Sequence, residues 1–268
     1  MESRIARVYV RSCKAEITLD VEMGLSEFIG QICLIFILAG LVKGTVGFGL
    51  PTIGIGLGAL ISDIPTAMML ILVPTVLTNI IQIWNTGSLV DVISKSWAFL
   101  LGSVLLVPLG LWAVVSLPSF PFERLLGLTI LVYSLASLNG FNPVMQMQHN
   151  HRLGMGLGLV NSVLTGMTGS MSVPGVMYLR SLQLSKDDLL CAMGVLFLIS
   201  TIAMGMSLWW FERATQDLSI LSVMMCLPVG LGVWCGVRIR RVLSEDQFKQ
   251  IFLWAFAALG LYLVVFGA

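Results

Sequence analysis

Charge is scarce in this sequence. Only 11% of its 268 residues are Asp, Glu, Lys or Arg, against roughly 25% in a soluble domain, too few to clothe a water-soluble fold. The net charge of +1 supplies no basic field, so nucleic acid is not an expected partner. Histidine is limited to His149 and His151, flanking Asn150 in a polar loop; two imidazoles alone make a poor metal site. The five cysteines, Cys13, Cys33, Cys191, Cys226 and Cys235, lack C-x-x-C spacing. Four fall in apolar runs, where cysteine serves as a small core residue. There is no phosphate-binding G-x-x-x-x-G-K-[ST] segment, so ATP does not drive the protein directly. The apolar runs hold no aspartate pair, no Ser/His pair and no H-E-x-x-H, and the connecting loops are too short for a catalytic domain. Neither an enzyme activity nor a cofactor is expected.

What is abundant is hydrophobic sequence, 57% of the chain at a mean hydropathy of +0.95. The charges fall between apolar runs of about 20 residues, the length that crosses a hydrocarbon core. The alternating ten-residue segments of a membrane β-barrel are missing. The expected fold is an all-α membrane protein of about eight transmembrane helices, with the lipid bilayer as a partner. Segment 1a covers Leu25 to Val42 and 1b Pro51 to Ile61. Span 2 is Ile64 to Trp84, span 3 Trp97 to Leu117 and span 4 Phe122 to Leu138. A polar connector from Asn139 to Arg152 follows. Beyond it come 5a (Leu153 to Leu164), 5b (Pro174 to Leu182), span 6 (Leu189 to Phe211), span 7 (Leu218 to Val237) and span 8 (Phe248 to Phe266). The domain reading is a polar tail over 1–23, a first repeat over 24–140, a connector over 141–152 and a second repeat over 153–268. No cleavable signal peptide is evident, and the tail reads as a cytosolic extension or, with Met23 as the start, as no part of the mature protein.

The repeat rests on matched breaks. Gly44-Thr45-Val46-Gly47-Phe48-Gly49-Leu50-Pro51 and Gly166-Met167-Thr168-Gly169-Ser170-Met171-Ser172-Val173-Pro174 each interrupt an apolar run with glycines and hydroxyls and end in proline. Gly44 and Gly47 recur 122 residues on, and Pro108-Leu109-Gly110-Leu111 recurs 120 on as Pro228-Val229-Gly230-Leu231. Such breaks are tolerated in a membrane only where protein or a water-filled cavity satisfies the freed backbone, and paired broken helices mark the binding site of many transporters. Whether each first helix is broken or re-entrant sets the parity: one net crossing gives parallel halves, zero or two give inverted ones. Arg238, Arg240, Arg241 and Lys249, with Arg180 and Lys186, belong inside, which puts the C-terminus outside. The basic tail conflicts with an outside N-terminus.

A helix restarting inside the membrane turns free N–H groups and about half a positive charge toward the break, and proline suits its first turn. Pro51 and Pro174 fit that place. Gly47 and Gly49 allow close backbone approach, and Thr45, Thr168, Ser170 and Ser172 offer hydroxyls, so the two breaks suit a small oxyanion. Close helix packing and kinking are the plainer roles for the glycines and prolines of both breaks, Gly44, Gly166 and Gly169 among them. Lys43 adjoins the first break and either binds or gates an anion or snorkels to the interface. Thr75, Thr78, Asn79 and Gln82 share one helical face; that stripe, and Asn161, line a pathway or bond a neighbouring span. Asp63, Asp187 and Asp188 stand where helix caps belong.

With these residues in view, the chain resembles the TauE/SafE family of sulfite exporters and related anion permeases over about residues 24–268. The resemblance lies in Leu41-Val42-Lys43-Gly44-Thr45-Val46-Gly47-Phe48-Gly49-Leu50-Pro51, its weaker copy at Gly166 to Pro174, and the two-repeat layout. The second copy carries Ser170-Met171-Ser172 where more glycine is common. The resemblance implies a multi-pass bacterial inner-membrane protein moving sulfite, thiosulfate or organosulfonates. Lys43, Gly44, Thr45, Gly47, Phe48, Gly49, Pro51, Asn79, Gly166, Thr168, Gly169, Ser170, Ser172 and Pro174 are the expected anion-binding set. A channel-like anion pore and a non-transporting membrane scaffold stand as alternatives, and homo-oligomerisation is left open.

Overall fold

The computed structural model describes residues 25–140, 150–240 and 245–267. The tail with Cys13, most of the connector with His149, and Arg241 lie outside the described residues. So does the Lys249 side chain. Within them every regular element is helical: α1 (Leu25–Val46), α2 (Leu50–Gly58), α3 (Ile64–Asn85), α4 (Leu89–Leu105), α5 (Val107–Ser116), α6 (Phe122–Leu138), α7 (His151–Thr168), a π-turn (Ser172–Val176) running into α8 (Met177–Ser181), α9 (Lys186–Trp210), α10 (Gln216–Met224), α11 (Cys226–Ile239) and α12 (Glu245–Phe266). Five helical stretches are long and apolar enough to cross a membrane, Glu27–Val46, Ile64–Asn85, Leu89–Ser116, Lys186–Trp210 and Gln216–Ile239, with Gln250–Phe266 shorter. Their outward faces are apolar, with Leu34, Trp84, Trp209, Trp210, Leu227 and Trp254 exposed, as a lipid-facing surface requires.

The helix starts have local causes. Asp63 caps α3, its Oδ1 accepting from the Thr66 N–H at 2.6 Å. Asn150 caps α7 and Ser185 caps α9. Asp188 lies inside the first turn of α9 and accepts from the Ser88 N–H at 2.8 Å, tying the starts of α4 and α9 together. The prolines break spans 3 and 7 where the sequence reads them as continuous: the helix is interrupted at Leu106, before Pro108, and at Met225, before Pro228. A proline removes one intrahelical bond, and the freed groups need partners. Pro74 inside α3 frees the Leu70 carbonyl, and the Ser222 hydroxyl donates to it at 3.0 Å while accepting from the Val73 N–H at 3.1 Å. At the other kink the Leu106 N–H donates to Ser162 Oγ at 3.2 Å.

Two glycine seams organise the packing. A Cβ on Gly40 or Gly44 would stand 2.4 Å from the Val229 or Val233 carbonyl oxygen, and Gly236 meets the Leu41 carbonyl in return. Residue order rises on both helices, so α1 and α11 run parallel. In the second seam Gly158 faces the Phe99 carbonyl and Gly166 the Val107 carbonyl, so α7 runs parallel to α4 and α5. The pairs α3/α9 and α6/α12 pack antiparallel, with Gly205 on Leu72 and Gly194 on Ile83, and Gly127 on Leu263 with Gly260 on Leu131.

Measured along α3, the first broken element is a hairpin. α1 reaches the late half of α3, where Lys43 meets Asn79. α2 then climbs back along its first half, Gly54 against Ile71 and Gly58 against Ala67. The second is a hairpin too: beyond the break the chain returns along α7, Gly175 against Asn161 and Tyr178 against Gly154. The tips pass each other in the interior, where Thr52 Oγ1 and Ser172 Oγ share a hydrogen bond of 3.0 Å and Gly169 abuts Ile55 and Met68.

Candidate functional site

The first break turns on two glycines in the left-handed region, Gly47 (φ 87°) and Gly49 (φ 98°), where a Cβ would be strained. Gly49 is the N-cap of α2 and Pro51 lies in its first turn, as the sequence leads one to expect. Phe48, between them, is buried and meets the Tyr133 ring edge-on, centroids 6.1 Å apart. Lys43, in the last turn of α1, is 6% exposed. Its ammonium donates to Asn79 Oδ1, and among the described residues no carboxylate pairs with it. Lysine only donates, so the amide oxygen must face it and the Asn79 nitrogen points elsewhere. That nitrogen has no partner among the described residues, and neither has the Thr75 hydroxyl one turn earlier. An ammonium, an amide N–H and a hydroxyl thus stand together, all able to donate and all buried.

The second break is neutral. Gly169 (φ 67°) ends α7, and the buried Asn161 side chain and Ser170 hydroxyl have no partner among the described residues. Thr168 donates to the Leu164 carbonyl at 2.8 Å and accepts from the Ser170 N–H at 3.2 Å. Pro174 does not start a regular helix: it lies within the π-turn, Val173 before it is extended (φ −125°, ψ 126°), and α8 beyond has five residues. The picture of two equivalent helix N-termini is therefore corrected to one, α2.

Some expected residues are occupied otherwise. The Thr45 hydroxyl donates to carbonyls of its own helix, Leu41 at 3.0 Å and Val42 at 2.9 Å. Gly44 and Gly166 belong to the two packing seams. In the polar stripe of α3, Thr78 bonds back to the Pro74 carbonyl and Gln82 donates to the Leu190 carbonyl of α9, so only Thr75 and Asn79 remain available. The sequence reading missed Thr52, which the fold sets against Ser172 of the other break. It used Arg180 only to orient the chain.

The family comparison decides what such a site belongs to: the sulfite exporter TauE/SafE family matches residues 32–263, both hairpins included. The chain is a TauE/SafE protein. Membership makes it a membrane transport protein, in keeping with the apolar helices. No curated protein matches the chain. No solved structure matches it either. Lys43, Asn79 and Thr75 thus place an ammonium, an amide N–H and a hydroxyl in a buried spot beside the first break.

Proposed function

We propose that this protein is a secondary transporter of small sulfur oxyanions such as sulfite, thiosulfate or an organosulfonate in a bacterial inner membrane. One observation carries the reading: Lys43 is buried beside the first break with an amide as its partner, not a carboxylate. Holding a cation at membrane depth costs about 2.5–3.5 kcal/mol on insertion scales, and an anionic substrate arriving between the hairpin tips offsets that cost. The α2 N-terminus adds partial positive charge, and Asn161, Ser170 and Thr75 add polar atoms whose hydrogen bonding the substrate completes.

The architecture supports alternating access around that point. α1 lies on α11 as α7 lies on α4 and α5, α3 pairs with α9, and α6 with α12. Each hairpin returns to its side of entry, so we read the halves as inverted repeats, each a hairpin plus three crossings, related about the Thr52–Ser172 contact. Lys95, Arg152, Lys186 and Arg240 all sit at the end where α3 finishes and α9 begins; by the positive-inside rule that end is cytoplasmic. The second broken helix enters from there, the first from outside.

The test is thermal stabilisation of the purified protein by sulfite, thiosulfate, sulfate, taurine and acetate. A ligand at 100 times its dissociation constant stabilises by about 2.7 kcal/mol. The expected result is a shift with sulfur oxyanions that disappears in Lys43→Ala and shrinks in Ser170→Ala. A folded protein that none of these anions stabilises overturns the reading.

A further inference from the structure

Arg180 lies in the last turn of α8, yet its guanidinium lies at the first hairpin. It stands 5.6 Å from the centroid of the Phe48 ring and 5.9 Å from that of Tyr133, two buried rings on the break and on α6. Among the described residues no carboxylate and no hydrogen-bond acceptor engages it. Contact with ring faces uses none of the five guanidinium N–H groups, and both distances lie near the outer limit of about 6 Å for cation–π attraction. A two-pronged bond to an oxyanion is stronger than such a perch. Phe48 belongs to the turn that carries Lys43, since the Gly47 N–H donates to the Lys43 carbonyl at 2.8 Å. The second hairpin therefore brings a cation to the end of the first one that already holds a cation, and it does so only when the two hairpins are docked. The repeat does not require this: the position 122 residues before Arg180 is Gly58.

Resting on the transport reading above, we propose that Arg180 is the second cation of the anion site, and that with Lys43 it selects doubly charged sulfur oxyanions over singly charged ones.

Proteoliposomes holding the full chain, wild type, R180Q or R180K, are assayed for concentration-dependent uptake of thiosulfate, a dianion, and methanesulfonate, a monoanion. In R180Q the half-saturation for thiosulfate is expected to rise about tenfold or more, and that for methanesulfonate about threefold or less. R180K, which keeps the charge but loses the fork, should recover part of the thiosulfate affinity, above R180Q and below wild type. Equal weakening toward both anions, or no recovery in R180K, assigns Arg180 a packing role and overturns the proposal. If R180Q does not assemble, R180K alone decides: a half-saturation raised more for thiosulfate than for methanesulfonate supports the proposal, and an equal change for both anions, or no change, overturns it. A wild type that carries neither anion removes the transport reading itself and this proposal with it, whereas a wild type that carries both while R180Q behaves identically removes the proposal alone.

Discussion

Lys43 is the residue on which the proposed function turns, and its neighbour Asn79 shows why. An amide can accept from the ammonium without cancelling its charge, so the cation stays available to a substrate. Asn79→Asp would place a carboxylate there and satisfy Lys43 from within the protein. We expect that variant to fold at least as stably as wild type and to lose stabilisation by sulfite, its affinity falling 30-fold or more, since unpairing a buried charge contact costs about 2–5 kcal/mol. Calorimetric titration with sulfite checks it; near-native affinity would show that the ammonium does not face the anion. The same reasoning separates residues the sequence could not rank. Thr45 and Ser170 look alike as hydroxyls near a break, but Thr45 is satisfied by its own helix while Ser170 is buried without a described partner. Hydrogen-bond satisfaction depends on neighbours distant in the chain and cannot be read from residue type.

Among elements, the two glycine seams set how near the hairpins come to the rest of the fold. Backbone touches backbone there, so a side chain must push whole helices apart. Gly44→Leu and Gly166→Leu should each lower stability by at least the 1–3 kcal/mol typical of overpacking. Gly230→Leu should be tolerated, because no atom lies within 4 Å of a Cβ at that position. Melting temperatures in detergent check the set, and a large loss in Gly230→Leu would refute the seam assignment. The sequence repeat equates Gly110 with Gly230, yet only at Gly110 would an added Cβ run into a carbonyl, that of Val163. Pattern matching finds the shared glycine; the contact depends on which face of the helix a neighbour covers. The kinks follow the same logic. Proline announces each break, but the serines that repair them, Ser222 for Pro74 and Ser162 for the break before Pro108, come from other spans.

At the scale of the whole molecule the decisive quantity is direction. If both broken elements are hairpins, cysteines introduced at Ser94 and Ser185 in a cysteine-free background should react with an impermeant maleimide from the cytoplasmic side. Those at Ser119 and Gln216 should react from the outside. Parallel halves would put Ser94 and Ser185 on opposite sides, and labelling of intact cells against inverted vesicles separates the two. By itself the sequence determined the solvent and the elements, since hydropathy, charge scarcity and run length depend only on composition along the chain. Span 4, Phe122 to Leu138, matches α6 residue for residue, and the Lys43 break with its glycines and Pro51 stands where the motif put it. Tertiary structure alone decided that the breaks are turning points of hairpins, that one helix N-terminus rather than two faces the interior, and that Arg180 reaches the turn beside Lys43. Each of these is a relation between segments 100 residues or more apart or a choice of return path, and hydrophobic periodicity, the same whichever way a helix runs, carries no information about either.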